Sequence, residues 1–125
     1  MVAMLKARFW NVAMERGYDV LLEKPIAKTE SELKRIYDTS VRTGKRAAVS
    51  HVLRYTRFFN TLKAIIDSGE IGSVVNISHS ENIGYWHMAH SFVRGNWRRE
   101  DETSPMILAK SCHDTDILLY LIGKD

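Results

Sequence analysis

The chain has 125 residues, 45% of them hydrophobic and 26% charged, with a formal net charge of +3 and one cysteine. This is ordinary for a globular domain that buries a core without disulfides or metals, and too apolar for intrinsic disorder. The lone Cys112 excludes an internal disulfide framework and fits a reducing, cytoplasmic setting. No apolar run approaches the ~20 residues that cross a bilayer, and no Lys/Arg block marks a nucleic-acid surface.

Met1–Trp10 carries Lys6 and Arg8 and lacks a small-residue cleavage site, so it does not read as a signal peptide. Instead Leu5, Phe9, Val12 and Ala13 recur near helical spacing, predicting a helix over 1–16 that stops at Gly17. The run Val20-Leu21-Leu22 predicts a strand over 19–23. Three successive apolar residues suit a strand covered on both faces, as in a parallel sheet. Thr29 and Glu32 form the capping-box pattern before a helix over 30–43, with Gly44 at its end. Arg46–Leu53 reads as the next strand, and 58–68 as a helix with Phe59, Leu62, Ile65 and Ile66 on its buried face. Over 73–81 the residues alternate with a period of two, predicting a half-exposed strand. Residues 82–103 have no clean period and read as a long functional loop rich in aromatic and basic residues. Ser104 and Pro105 look like the N-cap and first position of a helix that reaches Leu121 and stops at Gly123. Strand, capped helix and strand in that order indicate an α/β fold, with α+β character in the second part.

Three groups of residues could carry chemistry. Lys24 follows a strand directly, at the edge where open α/β sheets bind ligands. Its amine could polarise a substrate oxygen or move a proton; a surface Glu-Lys pair before a loop-starting proline is the plain alternative. Lys110, His113 and Asp114 share one helix face by their spacings of three and four. There the choice is between a tuned histidine and a core histidine beside an exposed ion pair. The third group is Tyr85, Trp86, His87, His90, Phe92, Arg94, Asn96, Trp97 and Arg98, whose planar donors and flat rings suit hydroxylated ligands. His87 and His90 with His79 or His113 could bind zinc, but acid or thiolate ligands at tight spacing are lacking, and no metal is assigned. No G-x-G-x-x-G turn for a pyrophosphate occurs in the chain.

Residues Gly17-Tyr18-Asp19-Val20-Leu21-Leu22-Glu23-Lys24-Pro25-Ile26-Ala27 resemble the E-K-P segment of the Gfo/Idh/MocA oxidoreductases. Trp97-Arg98 and His113-Asp114-Thr115-Asp116 resemble the substrate-domain signature of the same family. The resemblance covers nearly the whole chain from Val12 onward. It implies the tail of a Rossmann domain over 1–44, followed by the start of the α/β substrate domain over 45–125. The glycine fingerprint and first strands are then expected upstream of Met1, and most of the second domain's strands beyond Asp125. It also implies NAD or NADP as cofactor and a sugar, inositol or related polyol as substrate, with possible homo-oligomers through the second domain. Neither nucleic acid nor membrane is an expected partner.

Under the same resemblance Glu23, Lys24 and Pro25 lie by the cofactor, with a cis bond before Pro25. Lys24 and His113 are the catalytic pair. Ala109 stands where many members carry an aspartate, and Lys110 beside it takes over that electrostatic role. Arg54, Tyr55, Arg94, Asn96, Trp97 and Lys110, with His113, are expected around the substrate, the first five on residue type alone. Two other functions remain open: a catalytically silent fragment or interaction remnant, and an NAD-dependent glycoside hydrolase of the same fold.

Overall fold

The computed structural model describes residues 2–123, with side chains from residue 8 onward. The elements in chain order are α1 (Val2–Glu15), β1 (Val20–Leu22), α2 (Glu30–Thr43), β2 (Ala47–Val49), a 3-10 turn (Val52–Tyr55), α3 (Arg57–Asp67), a helical turn α4 (Tyr85–His87), a π-helical segment (Met88–Val93) and α5 (Met106–Leu121). They form two compact units, the first made of residues up to 50 together with 83–109, the second of 51–82 together with 110 onward.

In the first unit β1 and β2 pair in parallel, Val20 opposite Ala47 and Leu22 opposite Val49. The connection between them is α2, as a parallel pair requires. Its start is fixed by the predicted capping box: the Thr29 hydroxyl accepts from the Glu32 N–H, and the Glu32 carboxylate accepts from the Thr29 N–H. Gly44 ends α2 in the left-handed region at φ +66°, where a Cβ would be strained. Met14, Val20, Leu22 and Ile36 form the core, with Trp10, Ala13, Ile26, Ala47 and Val49 packed around it. Asp19 braces the strands' entry, accepting from the backbone N–H and the guanidinium of Arg46.

Several expectations change here. Leu21 is 66% exposed, so β1 is covered on one face only, because α1 and α2 both pack on the side that Val20 and Leu22 face. On α1 the inward face carries Trp10, Asn11 and Met14, whereas Phe9 and Val12 are exposed; Leu5 lies outside the described side chains. The second strand ends at Val49, where the chain turns into the 3-10 segment. The expected loop is partly helical: α4 runs into the π-helical segment, and the Arg94 N–H closes on the Ala89 carbonyl. Ser104 does not cap α5; its hydroxyl is buried and makes no hydrogen bond.

In the second unit the Thr56 hydroxyl accepts from the Phe59 N–H and caps α3. No residue of α3 is fully buried, and the face expected to be core is half-covered, with Ile65 exposed. Residues 73–81, expected to be a strand, are not one, since no neighbour pairs with them among the described residues. Val74, Val75, Asn76 and Ile77 instead line a groove against Thr115, Leu118, Leu119 and Ile122 of α5 and its end. Ile117, fully buried, and Leu121 anchor α5 in this unit.

Candidate active site

Parallel pairing puts the carboxyl ends of β1 and β2 on one edge, where the Leu22 carbonyl accepts from the Ser50 N–H at 2.8 Å. Lys24 leaves β1 at this edge. The Lys24–Pro25 bond is cis, as expected, and the half-buried Lys24 Nζ donates to the Ala109 carbonyl at 2.9 Å. One of its three N–H groups is thereby fixed to the first turn of α5, leaving donor capacity for a ligand. Glu23 beside it is exposed and Pro25 half-buried. Lys28 Nζ donates to the carbonyls of Glu100 and Asp101, tying down the stretch that precedes α5 in the same unit.

The second unit holds His113. Its ring meets that of His51 edge to face, with centroids 6.0 Å apart. His51 Nε2 lies 3.7 Å from Asp116 Oδ1, and the Arg54 guanidinium grips both Asp116 oxygens at 2.9 Å. Arg54 also lies over the Tyr120 ring, 5.3 Å from its centre. A planar fork matched to a carboxylate is a rigid arrangement. It holds the 3-10 turn on α5 beside His113. On another side of the helix Asp114 Oδ1 is 2.7 Å from His79 Nε2. Lys110 is half-buried on the same helix.

The remaining expected residues are spread over both units. Tyr55 is exposed at the end of the 3-10 turn. Arg94 and Asn96 are exposed just after the π-helical segment, and Trp97 is half-buried 6.5 Å from the Phe92 ring. Single-turn π segments recur at functional sites, and here one presents the aromatic and basic residues singled out from sequence. His87 and His90 belong to the first unit and His79 and His113 to the second. Sequence reasoning missed the roles of His51 and Asp116, and the meeting of His79, Glu81 and Asp114. The signals were faint: Asp116 follows Asp114 in the motif, and His79 and Glu81 share one side of an alternating segment.

A family model described as "Oxidoreductase family, C-terminal alpha/beta domain" matches residues 63–125. An inositol 2-dehydrogenase of Burkholderia vietnamiensis is 33% identical over 115 residues, covering 90% of this chain and 31% of that protein. Another, from Pseudomonas fluorescens, is 31% identical over 120 residues, covering 94% of this chain and 32% of the relative. The crystal structure of a myo-inositol 2-dehydrogenase from Lactobacillus plantarum superposes with a TM-score of 0.77 at 20% identity, over 97% of this chain and 35% of that one. The chain thus spans about a third of the length of the relatives it matches. No helix among the described residues is long and apolar enough to cross a membrane.

Proposed function

The chain belongs to the Gfo/Idh/MocA oxidoreductases, and from that premise we propose that it serves NAD(P)-dependent oxidation or reduction of a sugar, inositol or related polyol. The single observation that carries this is Lys24, set at the carboxyl edge of a parallel strand pair behind a cis proline bond and hydrogen-bonded to the first turn of α5. Residues 1–44 are read as the tail of the cofactor domain and 45–125 as the start of the substrate domain.

That edge fits the nicotinamide end of a dinucleotide, with Glu23, Lys24 and Pro25 beside it. The phosphate end finds no glycine-rich turn in this sequence. A bound nicotinamide supplies hydride acceptance or donation. The chain's own part is proton chemistry and positioning. Lys24, with one N–H held by Ala109, donates another to the substrate oxygen and stabilises charge developing there. His113 takes the hydroxyl proton in oxidation and returns it in reduction. Its ring faces His51 at the Asp116–Arg54 frame, which limits how far it can turn. Lys110, on α5 three residues before His113, takes the electrostatic role that the family resemblance implies for it. Tyr55, Arg94, Asn96 and Trp97 are the exposed donors and ring for sugar hydroxyls.

The test is a fluorescence titration of the purified chain with NADH and NADPH, followed by reduction of NAD or NADP in the presence of inositols and aldoses. We expect saturable binding and turnover that His113→Ala lowers at least ~100-fold. Lys24→Met should lower turnover comparably. A folded chain that neither binds the dinucleotides nor turns over sinks the reading and leaves a catalytically silent chain in its place.

A further inference from the structure

We infer that His79, Glu81 and Asp114 form a binding site for one divalent first-row transition ion, of which zinc is the natural probe. One ligand atom from each of the three lies within 4.8 Å of the other two. Asp114 is only 9% exposed, yet its Oδ2 is fully buried and has no hydrogen-bond partner. A buried carboxylate oxygen without a donor is costly to fold around. A cation shared with Oδ1 satisfies both oxygens at once.

The geometry is close to what coordination requires. Metal–ligand distances of about 2.0–2.2 Å place neighbouring ligand atoms roughly 3–3.5 Å apart. His79 Nε2 and Asp114 Oδ1 stand 2.7 Å apart, sharing one proton. Binding puts the metal on Nε2 in place of that proton, which moves through solvent to Nδ1 so that the imidazole stays neutral, and the two side chains part by under an ångström. Glu81 is exposed, so its carboxylate is free to close on the ion. One imidazole with two carboxylates prefers zinc, manganese, iron or cobalt over magnesium or calcium, which favour all-oxygen shells. Such an ion clips the 74–82 segment onto α5 within the second unit, next to His113 in sequence.

The experiment uses the whole chain, stripped with EDTA and titrated calorimetrically with zinc chloride, then with magnesium chloride. The expected result is one saturable zinc site per chain, at least ~10-fold weaker in Glu81→Gln, and no comparable magnesium binding. Zinc at a hundred times its dissociation constant shifts the folding equilibrium about 100-fold, so thermal unfolding moves upward in the parent and less in the variant. Glu81 is exposed, so Glu81→Gln stays folded; His79→Gln serves as the second variant, with circular dichroism as the check on folding. Zinc binding that survives both substitutions and vanishes in His87→Ala/His90→Ala overturns the assignment. So does a folded chain that binds no zinc. Neither readout depends on turnover.

Discussion

Arg54 was singled out from sequence as a substrate ligand, yet in the structure its fork is spent on Asp116. The decisive perturbation is Arg54→Met, which keeps the length of the side chain and removes the charge. Asp116 has a side chain only 10% exposed, and without Arg54 its carboxylate loses both 2.9 Å bonds. Breaking a buried pair by removing one partner costs about 3–5 kcal/mol. Arg54 itself is 27% exposed, and some water already reaches the pair, so the lower end applies. We therefore expect about 3 kcal/mol, of which roughly 0.5 kcal/mol is the lost contact over Tyr120. Asp116→Leu leaves only the better-hydrated partner behind and costs less, about 1.5 kcal/mol. The double substitution Arg54→Met/Asp116→Leu returns to within ~1 kcal/mol of the parent, because two apolar groups replace two charges. Urea unfolding followed by circular dichroism, analysed as a double-mutant cycle, should give a coupling energy of about 4 kcal/mol. A cost under ~1 kcal/mol for Arg54→Met, with simple additivity in the cycle, refutes the structural role. In that case Arg54 serves the substrate, and its loss changes KM instead.

Thr29→Ala removes the hydroxyl half of the capping box on α2 and should cost about 1 kcal/mol in the same unfolding assay. Gly95→Ala would set a Cβ 2.9 Å from the Ser91 carbonyl oxygen and closer still to that of His90. The backbone after the π-helical segment must shift, at about 1–3 kcal/mol. The accompanying loss of the Trp97 N–H bond to Ser91 should appear as altered tryptophan fluorescence. Acid stability carries a signature of Asp19, whose carboxyl is held below its ordinary 3.8 by the Arg46 backbone N–H and then by the guanidinium. A depressed folded value means its contribution is complete above the ordinary value and is lost as the pH falls through the lower folded one. Asp19→Asn should flatten that part of the acid unfolding curve and leave the shape of the neutral-pH plateau unchanged.

What was legible in the sequence follows from how local each signal is. The capping box, Gly44 and the apolar triplet of β1 act within a few residues, and the first unit follows them closely. Signals that depend on partners were misread. Leu21 reads as buried because the triplet is continuous, but coverage depends on which elements pack above and below. The alternation over 73–81 is a strand pattern that finds no partner strand among the described residues, since pairing belongs to the sheet and not to the segment. Ser104 has the right chemistry for a cap, yet α5 begins at Met106 and its first backbone bond runs to Pro105, which puts Ser104 one residue too early. For the candidate site, motif resemblance put forward Lys24 and His113, and their roles rest on that resemblance. His51 was not, because its importance arises from a turn that brings it against α5 from more than sixty residues away.

The two aspartates of His113-Asp114-Thr115-Asp116 illustrate why a motif underdetermines roles. Two residues along a helix means about 200° around its axis, so Asp114 and Asp116 leave α5 on nearly opposite sides. Asp116 meets Arg54 and His51 and has both oxygens occupied. Asp114 meets His79 and keeps one buried oxygen without a donor. Chemically identical side chains thus divide into a satisfied brace and an unsatisfied acceptor. The brace orders the surroundings of His113 at neutral pH with no further component. Asp114 reaches the same state only when a cation joins it, so the order of α5 around His113 should depend on metal on one side and not on the other. Hydrogen exchange at the α5 amides in the presence of zinc or EDTA separates the two: Asp114 and Thr115 gain protection with metal, and the Asp116–Arg54 side stays protected throughout. Uniform protection, unmoved by zinc, contradicts that division.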